Sequence, residues 1–287
     1  MKTVFIVPNL RKKGVSDAVK QVCDLLRARQ AAILLPRYAA MLASGSGIGF
    51  VELEEGARSA DFILSLGGDG TILRIADLAS RYGTPLLGVN LGHLGFITGL
   101  EADEIGLIGR VLDGKYQIDQ RMMLAVAVER NGDVVYSGTA LNEIMLTKLN
   151  PSKIIRIEVE ADRTPVIRFR GDGLIIATPT GTTAYSHSAG GPIIEPTAEN
   201  IAVTPVCPFT GGGKSFVFSP DRVISVRASA MDGGGACISA DGDQAVDLRP
   251  DDVVYIRRAK AVTRLIAVKD CSFYDILHEK LSDGGID

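Results

Sequence analysis

The chain has 287 residues, 46% of them hydrophobic and 23% charged, with 31 Lys and Arg against 34 Asp and Glu for a net charge of −3. At roughly 150 residues per domain this makes one large domain or two medium ones, apolar enough to bury a sizeable core, which excludes disorder as a general description. A general phosphate-backbone binder carries a basic face, so the near-neutral balance excludes a nucleic-acid partner and leaves only a small polyanion held at a local site.

The first run, Thr3 to Pro8, is short, apolar and rich in β-formers. Ala18, Val19, Val22, Leu25 and Leu26 then fall at helical spacing over 16–29, with Ser16 as the expected N-cap. Strands are predicted over 31–36, 61–66 and 85–90. Between the last two, Ile72, Leu73, Ile75, Ala76, Leu78 and Ala79 mark a helix closed by Gly83. Continuous apolar strands alternating with helices imply an α/β domain with an open, mostly parallel sheet over 1–118. After about residue 118 the pattern changes to short, often alternating β-type runs separated by turn residues, for example 122–130, 154–161 and 223–229. This predicts a β-rich domain over 119–270. A last helix, Phe273 to Leu281, has an apolar face to bury, and about 271–287 is expected to return to the first domain.

The N-terminal apolar run is too short for a signal peptide, and the weakly polar stretch 85–100 is too short to span a bilayer. Cys23, Cys207, Cys237 and Cys271 form no CxxC pair and read as buried free thiols. A cytoplasmic protein with no membrane partner is expected. His93, His187 and His278 form no HExxH pattern.

The strongest local signal is Ser65-Leu66-Gly67-Gly68-Asp69-Gly70-Thr71, at a strand end and opening a helix. Glycines let the backbone approach phosphate, and a helix N-terminus favours anions. Asp69 is out of place in a turn built only to welcome phosphate. It fits a turn in which a carboxylate takes a proton from a hydroxyl or helps hold a magnesium ion. A plain tight turn with Asp69 as N-cap would carry the same local pattern. Asn90-Leu91-Gly92-His93-Leu94-Gly95-Phe96 also follows a strand, and a lone histidine between glycines is more often structural than a ligand. Leu141-Asn142-Glu143 offers an amide beside a carboxylate, suited to ribose hydroxyls or adenine edges. The run Gly171 to Pro192 enters a loop dense in hydroxyls and glycines, with Tyr185 as its one aromatic, suited to stacking on a base. Gly211-Gly212-Gly213-Lys214-Ser215 is not a P-loop, because Pro208 stands where the first glycine belongs and a strand-like run follows.

Taken in order and spacing, the motifs at 67–71, 90–96, 141–143 and 172–192 resemble the motif set of NAD kinases. The resemblance runs from about residue 60 to the C-terminus, where Phe273-Tyr274 and Lys280-Leu281 are similar to the family's closing pattern. His187 stands where leucine is common, and Asp241-Gly242-Asp243 where Asp-Gly-Gln is commoner.

The resemblance implies transfer of a phosphoryl group from ATP, or in some members inorganic polyphosphate, to the 2′-hydroxyl of the adenosine ribose of NAD. The product is NADP, and Mg²⁺ or another divalent metal assists. It implies that Asp69 accepts the 2′-hydroxyl proton and contacts NAD. Gly70, Arg74, Asn142, Glu143, Arg170, Asp172, Thr183, Ala184, Tyr185, Ser186, His187 and Ser188 are then further NAD-binding positions. Gly67, Gly68, Gly70 and Thr71 hold phosphate. A homodimer or homotetramer is implied. The resemblance places Asp172 near the nicotinamide end of NAD, and period-two alternation puts Arg170 on its face, where it is expected to pair with Asp172 or another acidic group; the attraction of Asp172 for the cationic ring implies NAD preferred over NADH. Two rival readings are a lipid or sugar kinase sharing the GGDGT turn and a dinucleotide sensor without turnover. The first lacks an amphipathic membrane-binding stretch, and the second has no use for Asp69.

Overall fold

A computed structural model describes residues 1–43, 45, 47–92, 95–209, 213–230, 234–270 and 272–282. They form two compact units, Met1–Gln120 with Thr263–Asp287, and Arg121–Val262. The chain crosses from one unit to the other inside the strands Gln117–Arg130 and Val253–Ala267.

The first unit is built on parallel strands in the order Ile48–Val51, Ala32–Pro36, Thr3–Pro8, Phe62–Gly67, Leu86–Asn90. Leu265 extends this array beside Leu86. Every residue of Phe62–Gly67 and Leu86–Asn90 is buried, which is why these strands read as unbroken apolar runs rather than as alternation. Helix Val15–Ala28 buries one face, Val15, Ala18, Val19, Val22, Cys23 and Leu26. It starts one residue before the expected cap. Gly14 turns the chain at φ 78 and is itself the N-cap, so Ser16 lies in the first helical turn. Helix Asp69–Tyr82 ends on Gly83. The terminal helix Phe273–Ser282 is part of this unit, with the Lys280 ammonium 4.6 Å from the centre of the Phe96 ring.

The strand order reverses between Thr3–Pro8 and Phe62–Gly67. From the first the chain winds outward in one direction, and from the second in the other. Open α/β sheets bind ligands outside the carboxyl ends of the strands at such a switch point.

The second unit is antiparallel. One sheet runs Phe216–Phe218, Ile201–Val206, Gly173–Ala177, Glu143–Lys148, Ala236–Ala240, Val246–Leu248. Another contains Thr164–Gly171, Ile155–Ala161 and Ile224–Ala230, the last paired with the start of Val253–Ala267. One hydrophobic cluster takes alternate residues from both sheets, Ile144, Leu146, Leu174 and Ile176 from the first and Ile155, Ile157, Val159 and Val226 from the second. The sheets therefore pack face to face.

The cysteines correct one expectation. Cys23 and Cys237 are buried free thiols, but Cys207 is exposed, because it follows the strand Ile201–Val206 at φ 45 and turns outward. Cys271 lies outside the described residues.

Candidate active site

In the first unit, three loops converge at the carboxyl edge of the parallel strands. Gly67 ends its strand and Gly68 caps the following helix in an extended conformation, φ −154. The Thr71 hydroxyl closes this turn. It accepts the Gly68 N–H at 3.4 Å and the Asn9 side-chain amide at 3.4 Å. Asp69 is the first helical residue rather than the cap, and its carboxylate faces the loop after Leu86–Asn90. Phe96 N–H donates to Oδ2 at 2.7 Å and Ile97 N–H to Oδ1 at 3.3 Å. This hold depends on Gly95, since a Cβ there would lie 2.1 Å from Asp69 Oδ1. Asn90 is 1% exposed and spans the same edge, donating to Glu101 at 2.9 Å and accepting from Gly92 N–H at 3.1 Å. Gly70 and Arg74 are exposed on the helix that Asp69 opens. His93 lies outside the described residues.

The sequence reading passed over Lys12. It belongs to the loop after Thr3–Pro8, is half-buried, and its ammonium lies 3.2 Å from the Cβ position of Gly92 and 3.9 Å from that of Gly68. An isolated lysine more than fifty residues before the glycine turn has no local sequence signature. Its position at the switch point was the one available signal.

In the second unit, Asn142 and Glu143 sit where the chain enters the strand Glu143–Lys148. The Asp241 carboxylate accepts three backbone N–H groups there, Leu141 at 2.6 Å, Asn142 at 2.8 Å and Glu143 at 3.0 Å. The Glu143 side chain has a buried oxygen, Oε2, with no hydrogen-bond partner among the described residues. Burial, and then the Asp241 charge, push its carboxyl up from 4.5 to about 7. Burial also pushes Asp241 up, to about 6, against the pull of its three N–H donors. A half-buried carboxyl with a buried, unused oxygen is suited to a hydroxyl-bearing ligand.

The Thr178–Ser188 segment follows Gly173–Ala177 as two short helical turns, Thr180–Thr183 and Tyr185–Ser188. Tyr185 is 47% exposed, so it is not a core tyrosine. His187 and Ser188 are exposed, and Thr183 and Ala184 half-buried. The Ser186 side chain faces inward. It is fully buried and its hydroxyl meets Thr204 Oγ1 at 3.2 Å, so its side chain braces the loop from within. Arg170 departs from its expected pairing with Asp172. Asp172 pairs with Lys148 at 2.6 Å instead. The strand Thr164–Gly171 ends before Asp172, so alternation does not carry from one residue to the other, and Arg170 stands opposite Arg156.

Among the described residues no group of three or more His, Cys, Asp or Glu side chains is placed to hold a metal ion. Both Asp69 oxygens already accept backbone N–H groups.

The chain matches the family models described as "ATP-NAD kinase N-terminal domain" over residues 50–116 and "ATP-NAD kinase C-terminal domain" over 141–268. It is 40% identical to an NAD kinase of Caldanaerobacter subterraneus subsp. tengcongensis, over 99% of this chain and 100% of that protein. It is also 40% identical to an NAD kinase of Symbiobacterium thermophilum, over 98% and 99%. Among solved structures it is similar to an NAD kinase from Archaeoglobus fulgidus in complex with ATP, with TM-score 0.74, 29% identity, and coverage of 98% of each chain. A yeast NADH kinase complexed with NADH has TM-score 0.87 at 21% identity, covering 100% of this chain and 88% of that one, and shares the fold. The fold is thus that of the NAD kinases, an α/β unit with a largely parallel sheet, a β-rich unit and a C-terminal helix. The chain belongs to the NAD kinase family.

Proposed function

We propose that the chain transfers the γ-phosphoryl group of ATP to the 2′-hydroxyl of the adenosine ribose of NAD. A bond forms between the ribose 2′-oxygen and the γ-phosphorus, and the bond from that phosphorus to the β–γ bridging oxygen breaks. The hydroxyl proton passes to Asp69, and the products are NADP and ADP. The observation that carries this reading is the seat of Asp69. A carboxylate is fixed by two backbone amides beside a glycine turn, at the carboxyl edge of a parallel sheet. Phosphoryl transfer proceeds through a loose transition state, so the nucleophile needs positioning more than deep deprotonation. A carboxylate that cannot rotate meets that need.

Gly67, Gly68, Gly70 and Thr71 hold the donor's phosphates at the helix N-terminus, and the Lys12 ammonium supplies positive charge beside them. The divalent ion enters with the phosphates as part of the ATP substrate. In the second unit Asn142 and Glu143 bind ribose hydroxyls, Tyr185 packs on a base, and Asp172 faces the nicotinamide end with its charge partly met by Lys148. The protein works in the cytoplasm as a homodimer or homotetramer. No described helix is long and apolar enough to cross a membrane. Incubation with NAD, ATP and Mg²⁺ tests the reading. NADP and ADP should appear in equal amounts, and ADP without NADP would overturn it.

A further inference from the structure

Asp241 lies in the Asp241-Gly242-Asp243 segment that departs from the family pattern, and its own role is not set by that departure. Its carboxylate is the hub of a small, partly buried assembly. Oδ1 accepts the N–H of Asn142 and of Glu143, and Oδ2 that of Leu141. Its own N–H donates to Glu143 C=O at 3.0 Å. The residue takes φ 47, a left-handed conformation that aspartate adopts more readily than most non-glycine residues. On the other side, the Thr178 hydroxyl donates to Leu141 C=O at 2.5 Å and Thr178 N–H to Asn142 C=O at 2.8 Å. The Asn142–Glu143 backbone is therefore clamped between the two, and the Glu143 side chain carries a buried oxygen with no partner among the described residues.

We propose that Asp241 is a positioning residue for dinucleotide binding, which fixes the Asn142–Glu143 backbone and sets the charge state of the Glu143 carboxyl that receives a ribose hydroxyl. This deepens the NAD kinase reading above and rests on it. The three N–H donors favour the ionised form of Asp241, so it loses its proton before Glu143 does. The negative charge then opposes ionisation of Glu143, adding to burial, and Glu143 holds its proton to about pH 7. Asp243 adds a further negative charge next to Asp241. The Thr178–Thr183 segment contributes hydroxyls, and the Arg121 guanidinium donates to Thr180 Oγ1 at 3.2 Å. Below pH 7 the Glu143 carboxyl is neutral and a weaker acceptor. Above it, the carboxylate accepts a ribose hydroxyl in a charge-assisted bond. Affinity for NAD should therefore rise as pH increases through 7.

The test is the dissociation constant for NAD from pH 5.5 to 8.5, by calorimetry without ATP, on the wild type, Asp241→Asn and Glu143→Gln. The wild type should tighten severalfold across this range, and Glu143→Gln should be flat. Asp241→Asn removes the charge and one of the two acceptor atoms, so its midpoint should move to lower pH, with KM changed for NAD and not for ATP. A flat wild-type profile would overturn the proposal even if Asp241→Asn did not fold. So would an Asp241→Asn protein with an unmoved midpoint, which would leave Asp241 as a structural brace only. Formation of NADP by the wild type is scored separately, so failure here leaves the enzymatic reading standing.

Discussion

Gly95 offers the sharpest way to disturb Asp69 without touching its carboxyl group. A Cβ at residue 95 would lie 2.1 Å from Asp69 Oδ1 and 2.4 Å from Thr98 Oγ1, so Gly95→Ala must move the loop or the carboxylate by about 1.3 Å to reach ordinary contact at 3.4 Å. The same loop supplies the Phe96 and Ile97 amides, so both anchors of Asp69 shift together. A misplacement of about 1 Å in a reacting group costs about 10²-fold in rate. Hydrogen bonds to a charged acceptor contribute about 1.5–3 kcal/mol each, so some loss of Tm accompanies it. The assay is initial-rate formation of NADP at saturating NAD and ATP. Turnover should fall about 100-fold, while KM for NAD changes by less than about threefold, because Asn142, Glu143 and Tyr185, proposed to bind it, belong to the second unit. Gly106→Ala serves as a control, since a Cβ there meets nothing within 4 Å. A folded Gly95→Ala protein with turnover within about threefold of the wild type would refute the claim that the seat of Asp69 matters to the chemistry.

Three further outcomes follow from the geometry. Gly68→Val should fold with little change in Tm, because the nearest atom to its Cβ is Asn90 Oδ1 at 3.7 Å, yet lose the use of ATP by filling the space proposed for phosphate; normal ATP kinetics would place the phosphates elsewhere. Tyr185→Ala should raise KM for NAD more than KM for ATP, by about 10-fold if stacking contributes about 1–3 kcal/mol, and leave Tm unchanged since the ring is 47% exposed; a fall in Tm with KM for NAD unmoved would contradict it. Lys148→Met should release the charge of Asp172 and raise the ratio of kcat/KM for NAD over NADH, because only oxidised nicotinamide is cationic; an unchanged ratio would remove Asp172 from recognition of the redox state.

Much of the fold was legible because burial on both faces writes itself into the chain. Phe62–Gly67 and Leu86–Asn90 are buried throughout and read as strands from composition alone. Ile48–Val51 was not read, since it follows a glycine-serine segment that looks like a loop. Ile201–Val206 was hidden by Pro205, which a ladder position disfavours but which sits here opposite Leu174 near the strand's end. Asp69 stood out because a carboxylate is unusual in a phosphate turn. The groups that control the site did not stand out. The amides of Phe96 and Ile97 have no side-chain signature. Lys148 reaches Asp172 across a sheet register that alternation within one strand does not report. Asp241 meets Leu141 from 100 residues away. Such partners are set by tertiary contact, and local pattern carries no trace of them.

The proposed function rests on Asp69 as the acceptor of the ribose proton. Turnover of the wild type and Asp69→Asn with NAD, ATP and Mg²⁺ tests it most directly, with NAD binding measured on both proteins. Asparagine nearly preserves the shape but removes the charge and one of the two acceptors for the Phe96 and Ile97 amides. The account predicts NADP from the wild type, and from Asp69→Asn a folded protein that still binds NAD and turns over about 10²–10⁴-fold more slowly. A variant retaining more than about a third of wild-type turnover would contradict it, since loss of a general base costs far more than that.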